Sequence, residues 1–434
     1  MSFQRITVPY QDQTFEANVA SRNLIAIVEE RPNLPQITDL EAEANRALSH
    51  PIGSKPISKL TGADSRVAVL VDDYTRATPA IKLAPILIKE LESAGVRDEN
   101  VFFIYAPGQH QATKELAVEK VGKALADRFE IVVHNPKAFE DLVFLGFTST
   151  GTPVWVNKAI RRADFIVSIG GIKPNFSPGW GGGCKIIMPG ISGWETINFT
   201  HTKVMASDRV NSEGVDDTPV RRDIEEIGDM AGLSFILNVV WNRGGQVCGV
   251  VAGDPHKAWK VGLETAKKSF VYRLPERADI AVIGAGKAEY ISEALYAATK
   301  GYGITKESGT IIVAAPCTGG WGKDEIPPLD KGWYKSFHSE DLMRLSASEI
   351  AWKTQTRELD PARNMNGPYG LKLMIEKRHV IVVSHAASPE KLKKYGVDHA
   401  PNLSEALKKA YAKQGADARV TVVPRDFGYV FRVD

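Results

Sequence analysis

A glycine-rich stretch that leads to a lysine is the most informative chemical feature of this sequence. Glycine occupies positions 179 and 181–183, and Cys184 and Lys185 follow directly. Such a cluster packs no side chains, and its use is to let main-chain N–H groups approach a ligand, usually an anion. Lys185 would then lie at the mouth of the loop. A nucleotide P-loop is excluded because cysteine precedes the lysine and Ile186 replaces serine or threonine. A flexible surface loop is the alternative.

His201 closes this module sixteen residues after Lys185. The sequence has no HExxH, HxH or CxxC pattern beside it, so the polypeptide alone offers no conventional metal cage. If His201 binds a metal, something other than the protein must supply most of the ligands.

Further polar clusters follow predicted strands. They are Asp72–Arg76, Pro107–His110, His134–Pro136 and Lys173–Asn175. His110 could act as a general base near neutral pH, or be a solvated loop residue. Arg76 could hold a carboxylate or phosphate, or pair with Asp72 or Asp73. His134 is typical of a turn residue more than of a catalyst.

The segments that must position these residues alternate between predicted strands and predicted helices, as in α/β proteins. Apolar strands are predicted at 66–71, 101–105, 130–133 and 164–169, with helix-like segments between them. Short, continuous apolar runs separated by helices indicate a mostly parallel sheet that is buried on both faces. Ligands of such sheets bind beyond the carboxyl ends of the strands, so the four polar clusters predict one crevice.

The domain organisation is predicted from this alternation and from a break near Arg273–Arg277. We expect an N-terminal α/β cofactor-binding domain at 1–272, with β-hairpins at 4–19 and 235–254, and a C-terminal α/β domain at 277–418. The strand-like tail at 419–434 could join either domain. GAGKAE (284–289) resembles a dinucleotide fingerprint without its third glycine, which favours a tight strand-to-helix turn over an NAD site.

Composition excludes several classes of protein. The chain has 434 residues, a net charge of +2 and no long apolar run, which argues against nucleic-acid partners and against a membrane protein. Its three cysteines are too few for a disulfide framework, and a signal-peptide core is missing, so a cytoplasmic location is expected. The sequence leaves open whether the chain forms a homo-oligomer.

The combination of motifs resembles the nickel-dependent lactate racemase family. The resemblance rests on DDYTRATP (72–79), PGQH (107–110), GWGGGCKIIMPG (179–190) and TINFTH (196–201), and continues more weakly to APCTGGWG (315–322). It implies two α/β domains with the active site between them. It also implies a nickel-pincer nucleotide, made by separate enzymes and tethered through a thioamide to Lys185, with His201 as the protein ligand to nickel.

The resemblance also assigns roles to other residues. It implies that Asp72, Thr75 and the loop Gly181, Gly182 and Gly183 hold the nucleotide, and that Arg76 and Lys300 contact the substrate carboxylate. In the family mechanism the Cα hydride passes to the cofactor while a histidine takes the hydroxyl proton, and two opposed histidines serve as acid and base. His110 matches one of these histidines.

Two departures from the family pattern concern the substrate. Asn175 stands where the family has its second histidine, and asparagine does not exchange a proton near neutral pH. Ala297 stands where lactate racemases carry a glutamine. We therefore expect a racemase or epimerase of a 2-hydroxy acid other than lactate. A sugar-acid 2-epimerase, a non-catalytic cofactor-binding homologue and an NAD-dependent dehydrogenase are the alternatives.

Overall fold

Two six-stranded sheets, both mostly parallel, form the framework of the chain. The computed structural model describes residues 2–206, 209–322, 340–359 and 365–434. Contacts divide the chain into two units. The central unit consists of Asn33–Val204 and Ser212–Phe270, and the terminal unit consists of Met1–Pro32, Met205–Asn211 and Val271–Asp434. The expected α/β class with mostly parallel sheets in two domains is confirmed.

The strands are numbered in chain order. They are β1 Phe3–Tyr10, β2 Gln13–Ala20, β3 Leu24–Ile27, β4 Val67–Asp72, β5 Val101–Ala106, β6 Glu130–Val133, β7 Leu142–Phe147, β8 Pro153–Asn157, β9 Phe165–Ile172, β10 Pro174–Asn175, β11 Gly179–Trp180, β12 Leu233–Trp241, β13 Val247–Gly253, β14 Val271–Leu274, β15 Ala278–Gly284, β16 Thr305–Ala314, β17 His379–Val383, β18 Asp398–Ala400, β19 Val420–Val423 and β20 Val430–Val433.

The helices connect these strands. The α-helices of the described residues are α1 Leu40–Ser49, α2 Ala80–Ser93, α3 Lys114–Val121, α4 Lys123–Arg128, α5 Trp194–Thr202, α6 Pro219–Met230, α7 Pro255–Phe270, α8 Ile291–Ile304, α9 Ala347–Gln355, α10 Asn366–Lys377, α11 Pro389–Lys394 and α12 Leu403–Gln414. A short 3₁₀ helix, Gly183–Ile186, carries Lys185. None of the helices in the part of the chain that the structure describes has the length and apolar character to cross a bilayer.

The sheet of the central unit has the order β13-β12-β9-β4-β5-β6. All neighbours are parallel except β12 and β13, which form the hairpin predicted at 235–254. β4 and β5 are buried almost throughout, as expected for strands covered on both faces. The predicted strands at 66–71, 101–105, 130–133 and 164–169 correspond to β4, β5, β6 and β9. The carboxyl ends of these four strands therefore share one edge.

The sheet of the terminal unit has the order β18-β17-β16-β15-β19-β3, with every pair parallel. The N-terminal hairpin β1–β2 packs its apolar face, which includes Ile6 and Val8, on this sheet together with α12. Residues 1–32 thus lie in the terminal unit, whereas the sequence placed them in the N-terminal domain. Alternation shows that a hairpin has an apolar face, but it does not show which sheet that face covers.

The C-terminal tail also lies in the terminal unit. β19 lies within the sheet, between β15 and β3, and β20 pairs with β14. The predicted boundary near 272–277 lies beside the observed one at residues 270 and 271. At Gly284 an added Cβ would lie 1.9 Å from the carbonyl oxygen of Pro424, so this glycine permits close packing of the chain after β15.

Candidate functional site

Three adjacent strands of the central unit deliver the polar clusters to one edge. β9, β4 and β5 are parallel neighbours, and they end just before Lys173, Asp73 and Pro107 respectively. The predicted convergence of the polar clusters at this edge is therefore observed for the segments after β4, β5 and β9. β6, the next strand, brings His134 to the same edge.

His110 is paired with a buried carboxylate. Its Nδ1 lies 3.2 Å from Asp73 Oδ2 and 3.3 Å from Thr75 Oγ1. Asp73 also accepts a hydrogen bond from the backbone N–H of Thr75, at 2.8 Å. Nδ1–H donation to the carboxylate leaves Nε2 as the basic atom, which is the tautomer that a general base requires.

The carboxylate of Asp73 is held in its charged form. Burial by itself would raise the pKa of Asp73, but the hydrogen bond and charge of His110, the charge of Arg76 and the bond from Thr75 hold this pKa well below its usual range. Arg76 Nε lies 4.0 Å from Asp73 Oδ2, so the ion pair that the sequence offered as an alternative role for Arg76 is present.

Asp72 faces a different set of partners. Its Oδ2 accepts from Thr78 Oγ1 at 2.6 Å, and its Oδ1 lies 2.8 Å from Lys120 Nζ. Lys120 also donates to the carbonyl oxygens of Asp73 and Arg76, at 3.1 and 2.7 Å. Burial raises the pKa of Asp72, against the opposing charge of Lys120. The amine of Lys120 thus fixes the 72–76 loop by binding both a side chain and two backbone carbonyls of that loop.

The glycine loop lies against the end of β9. Gly181 N donates to Lys173 O at 2.7 Å, and Gly183 N donates to Asn238 Oδ1 on β12 at 2.9 Å. Gly182 adopts φ +78°, and an added Cβ would lie 2.6 Å from Ile172 Cγ1. Both the backbone angle and the close approach require glycine there.

Lys185 follows this loop, and its amine loses its proton more easily than that of an ordinary lysine. Its side chain is partly buried and makes no hydrogen bond or ion pair with the described residues. Burial and the positive charge of Arg76 lower the pKa of Lys185 to about 7, with Arg221 acting in the same direction. A neutral lysine amine is a nucleophile, so this side chain can form a covalent bond to an electrophilic ligand.

His201 lies near the end of α5 and is buried. Its Nδ1–H donates to Ile197 O at 2.8 Å, one helical turn earlier. Burial lowers the pKa of His201 to about 4, and the charges of Lys185 and His110 act in the same direction. The ring is therefore neutral near pH 7, and Nε2 has no hydrogen-bond partner among the described residues. This is the state of a histidine that can bind a metal ion.

His134 differs from the other two histidines. Its ring is fully buried, Nε2–H donates to Ser192 O at 3.0 Å, and Nδ1 accepts from Asn157 Nδ2 at 3.1 Å. Burial lowers its pKa to about 4. Both nitrogens are occupied by neutral groups, so His134 has a structural role.

Lys173 and Asn175 occupy the short segment after β9. Asn175 on β10 pairs with Gly179 on β11, and its side chain makes no hydrogen bond with the described residues. Burial and the charge of Arg76 lower the pKa of Lys173, whose amine is also without a partner in the described part of the chain. Both side chains are available to a ligand.

Lys300 and Ala297 lie in the terminal unit, on α8. Lys300 Nζ lies 2.6 Å from Asp426 Oδ1. Burial by itself would raise the pKa of Asp426, and Lys300 lowers it. Ala297 packs partly against the core of this unit.

Sequence reasoning missed several residues that shape the site. They are Asp73, Lys120, Arg221, Asn238 and Trp259. Asp73 was visible as one of two adjacent acids, but their order in the chain does not show which one faces His110. The other four lie on helices or on a strand outside these motifs, and no local signal marks them.

Two family models match the sequence. The lactate racemase N-terminal domain matches residues 10–213, and the lactate racemase C-terminal domain matches residues 275–430. Curated relatives include lactate racemases of Lactiplantibacillus plantarum and Thermoanaerobacterium thermosaccharolyticum, which are 27% and 26% identical to the chain. Both alignments cover 98% of this chain and 99% of the relative.

Solved structures are similar as well. The lactate racemase apoprotein from T. thermosaccharolyticum superimposes with a TM-score of 0.75 at 25% identity, over 99% of this chain and all of that one. A protein from Thermotoga maritima matches with a TM-score of 0.53 at 19% identity, over 91% of this chain and 98% of that one, and shows the fold alone.

Proposed function

The chain belongs to the lactate racemase family and is a racemase of a 2-hydroxy acid, an isomerase; on that premise we propose that it moves the Cα hydride of a substrate other than lactate itself. The observation that carries this proposal is the pair formed by Lys185 and His201. Lys185 offers an amine with a pKa of about 7, and His201 offers a neutral imidazole. Neither the amine nor His201 Nε2 has a partner among the described residues, and the charge of Lys185 helps to lower the pKa of His201.

The residues of the site fit the nickel-containing cofactor that the family needs. Imidazole nitrogen suits Ni(II), and because the Nδ1–H of His201 bonds to Ile197 O, Nε2 would be the atom that binds the metal. We propose the pincer nucleotide as the form of this cofactor, with Lys185 as its covalent attachment and His201 as the protein ligand. When bound, it would supply the acceptor and donor of the Cα hydride.

The nucleotide part would be held by Thr75 and by the backbone of Gly181, Gly182 and Gly183. Asp72 was assigned the same role by resemblance. Both oxygens of its carboxylate already contact protein groups, Thr78 and Lys120. Only their remaining lone pairs could accept hydrogen bonds from the nucleotide. The support for Asp72 is therefore mainly indirect, through the 72–76 loop that it holds with Lys120.

His110 would take the proton of the substrate hydroxyl. Asp73 accepts the Nδ1–H bond of the ring and stabilises the positive charge that the ring gains on protonation. A hydroxyl that loses its proton becomes a better hydride donor, because the developing carbonyl forms from an alkoxide. The same histidine returns the proton when the reaction runs backward on that face.

The opposite face needs another proton donor, because Asn175 replaces the family histidine. His134 and Lys173 were the nearest candidates in the sequence. His134 is excluded by its two interior hydrogen bonds. The amine of Lys173, in contrast, has no partner among the described residues, and its pKa is lowered. We therefore assign Lys173 as the second acid and base, and Asn175 as a group that orients the substrate.

The substrate would carry further polar groups. The carboxamide of Asn175 makes no hydrogen bond in the described part of the chain. It can both donate to and accept from a hydroxyl, which favours a polyhydroxylated acid over lactate. This observation supports a sugar-acid 2-epimerase as the second candidate. Arg76 remains the proposed carboxylate anchor of the central unit. Lys300, which we also propose as an anchor, keeps donors beyond its bond to Asp426.

Loading with the cofactor tests the chemistry of the site. After co-expression with the cofactor-making enzymes, intact-mass and peptide analysis should place one adduct on Lys185. Lys185→Ala should remove the adduct. His201→Ala should lose nickel but keep the adduct on Lys185. A matched control is Lys203→Ala, a lysine two residues after His201 that is paired with Asp223. An adduct on another lysine would refute the attachment, and unchanged nickel in His201→Ala would refute the ligand.

A substrate panel tests the reaction. Deuterium at Cα of lactate and of C5 and C6 sugar acids should be retained during inversion, because the same hydrogen leaves and returns as hydride. We expect faster turnover of the sugar acids, and Asn175→His should shift the preference toward lactate. Lys173→Gln should slow inversion by about 10²-fold and leave loading intact. A loaded protein that inverts no 2-hydroxy acid would be a binding homologue.

A further inference from the structure

Three buried side chains form hydrogen bonds with the backbone of the glycine loop. Trp259 Nε1 donates to Gly181 O at 2.9 Å, both terminal nitrogens of Arg221 donate to Gly182 O at 3.3 Å, and Asn238 Oδ1 accepts from Gly183 N. All three are less than a tenth exposed. Each peptide from 181 to 183 is therefore fixed by a side chain from another element, α6, α7 or β12.

Arg221 is linked to Lys185 through one atom. The backbone N–H of Lys185 donates to Gly182 O at 3.3 Å, and this is the carbonyl that Arg221 holds. In a trans peptide the N–H lies opposite the carbonyl. Because Gly181 O is bound by Trp259, the N–H of Gly182 points away from that ring, and it has no partner among the described residues. The N–H of Gly182 thus points away from Trp259 and is available to a ligand.

A buried arginine is costly unless its charge is matched. The guanidinium of Arg221 lies 3.7 Å above the ring of Trp259, and its Nε lies 2.7 Å from Glu225 Oε1. Glu225 in turn pairs with His256 Nδ1 at 2.7 Å, and His256 Nε2 lies 2.6 Å from Asp229. The four charges alternate from the interior to the surface. This ion-pair network therefore stabilises the charged guanidinium of Arg221 beside the glycine loop.

This network excludes another use of the same residues. Ligand atoms of Cys184, Glu225 and His256 lie within 4.8 Å of one another, as in a metal site. Both nitrogens of His256 face carboxylates, however, and hydrogen bonding to Glu225 is the main reason that its pKa rises to about 9. Burial raises the pKa of the Cys184 thiol well above its ordinary value. A protonated imidazole and an uncharged thiol are not metal ligands.

We propose that Arg221 is a positioning residue for Lys185. By holding Gly182 O, Arg221 orients the lysine so that its amine faces its electrophile. The inference rests on the proposed role of Lys185 as the attachment point. A second effect acts in the same direction, since the charge of Arg221 favours the neutral, nucleophilic amine. Arg222, the next residue, is exposed and pairs with Asp217, so it offers a matched control without contact to the loop.

The first test uses the apoprotein and therefore does not depend on cofactor chemistry. Trace acetylation across pH 6–10, followed by denaturing labelling with a deuterated reagent, gives the titration of each lysine by mass spectrometry. Lys185 in the native chain and in Arg222→Gln should titrate near pH 7. In Arg221→Gln the midpoint should rise by about one pH unit, because a nearby positive charge is removed.

The second test separates charge from geometry. Arg221→Lys keeps the charge but cannot donate to Gly182 O with a two-nitrogen fork. It should keep the Lys185 midpoint near pH 7 and lower the fraction of protein loaded during co-expression by about tenfold. Should Arg221→Gln fail to fold, this variant still decides the question. Loading and titration equal to those of Arg222→Gln would overturn the inference. An unloaded native chain with the expected titrations would instead refute the role of Lys185.

Discussion

His110 and His134 follow neighbouring strands of one sheet, yet the structure gives them opposite characters. β5 and β6 are parallel, and both histidines lie at the same edge. His110 is partly exposed and faces the carboxylate of Asp73. His134 is fully buried between the amide of Asn157 and the carbonyl of Ser192.

The difference lies in what each partner can do for a charged ring. A carboxylate stabilises an imidazolium, so His110 can accept a proton and release it again. An amide and a carbonyl carry no net charge. In the interior they therefore do not compensate the loss of hydration that a protonated ring would suffer. Position at a strand end brings a histidine to the site, but the partner of Nδ1 determines whether it can act in catalysis.

The largest effect should follow loss of His110. His110→Ala in the loaded enzyme should lower the inversion rate of a 2-hydroxy acid by about 10²–10⁴-fold, the range of general acid–base catalysis. The Lys185 adduct and the melting temperature should stay near the native values, because His110 is partly exposed. Retention of more than a tenth of the native rate would contradict the distinction between the two histidines, because His110 would then not act as an acid or base in catalysis.

The next effect should come from Asp73→Asn, which gives His110 the kind of partner that His134 has. An amide does not stabilise the ring's positive charge, so we expect the inversion rate to fall about 10- to 100-fold. Asp72→Asn is the matched control. It weakens the bond to Lys120 and should act mainly on loop order and loading. If both variants lost activity equally, the distinction between the two acids would be wrong.

The smallest effect should come from His134→Gln, which should change stability and leave the inversion rate of the folded enzyme within about threefold. Loss of its buried hydrogen bonds should cost about 1–3 kcal/mol of unfolding free energy at pH 7. A urea titration at pH 7 measures this cost.

The same variant tests the acid response. The pKa of His134 is about 4 in the folded chain and 6.5 in the unfolded one, so the unfolded state binds the extra proton between these values. Its contribution to stability is present above pH 6.5 and is lost as the pH falls through 4. His134→Gln should therefore lose less unfolding free energy than the native chain over this interval. An unchanged slope would mean that His134 is accessible and titrates normally.

The sequence predicted much of the arrangement of the candidate site because the signals for it are local. Continuous apolar runs predict buried parallel strands, and the polar residues after them must then share one edge. Glycines 181–183 with Lys185 predict a ligand loop, because close backbone approach requires glycine. Their place in short motifs also singled out His110 and His201 as candidate site residues.

Tertiary structure decided the partners, because they come from elements distant in the chain. Asp73 faces His110 from another strand end, and Arg221 and Trp259 reach the glycine loop from α6 and α7. The hairpin of residues 3–20 shows the same limit, since its alternation gives an apolar face but not the sheet that this face covers. Residue types and periodicity determine what a segment can do, whereas packing in three dimensions selects which charges and surfaces meet.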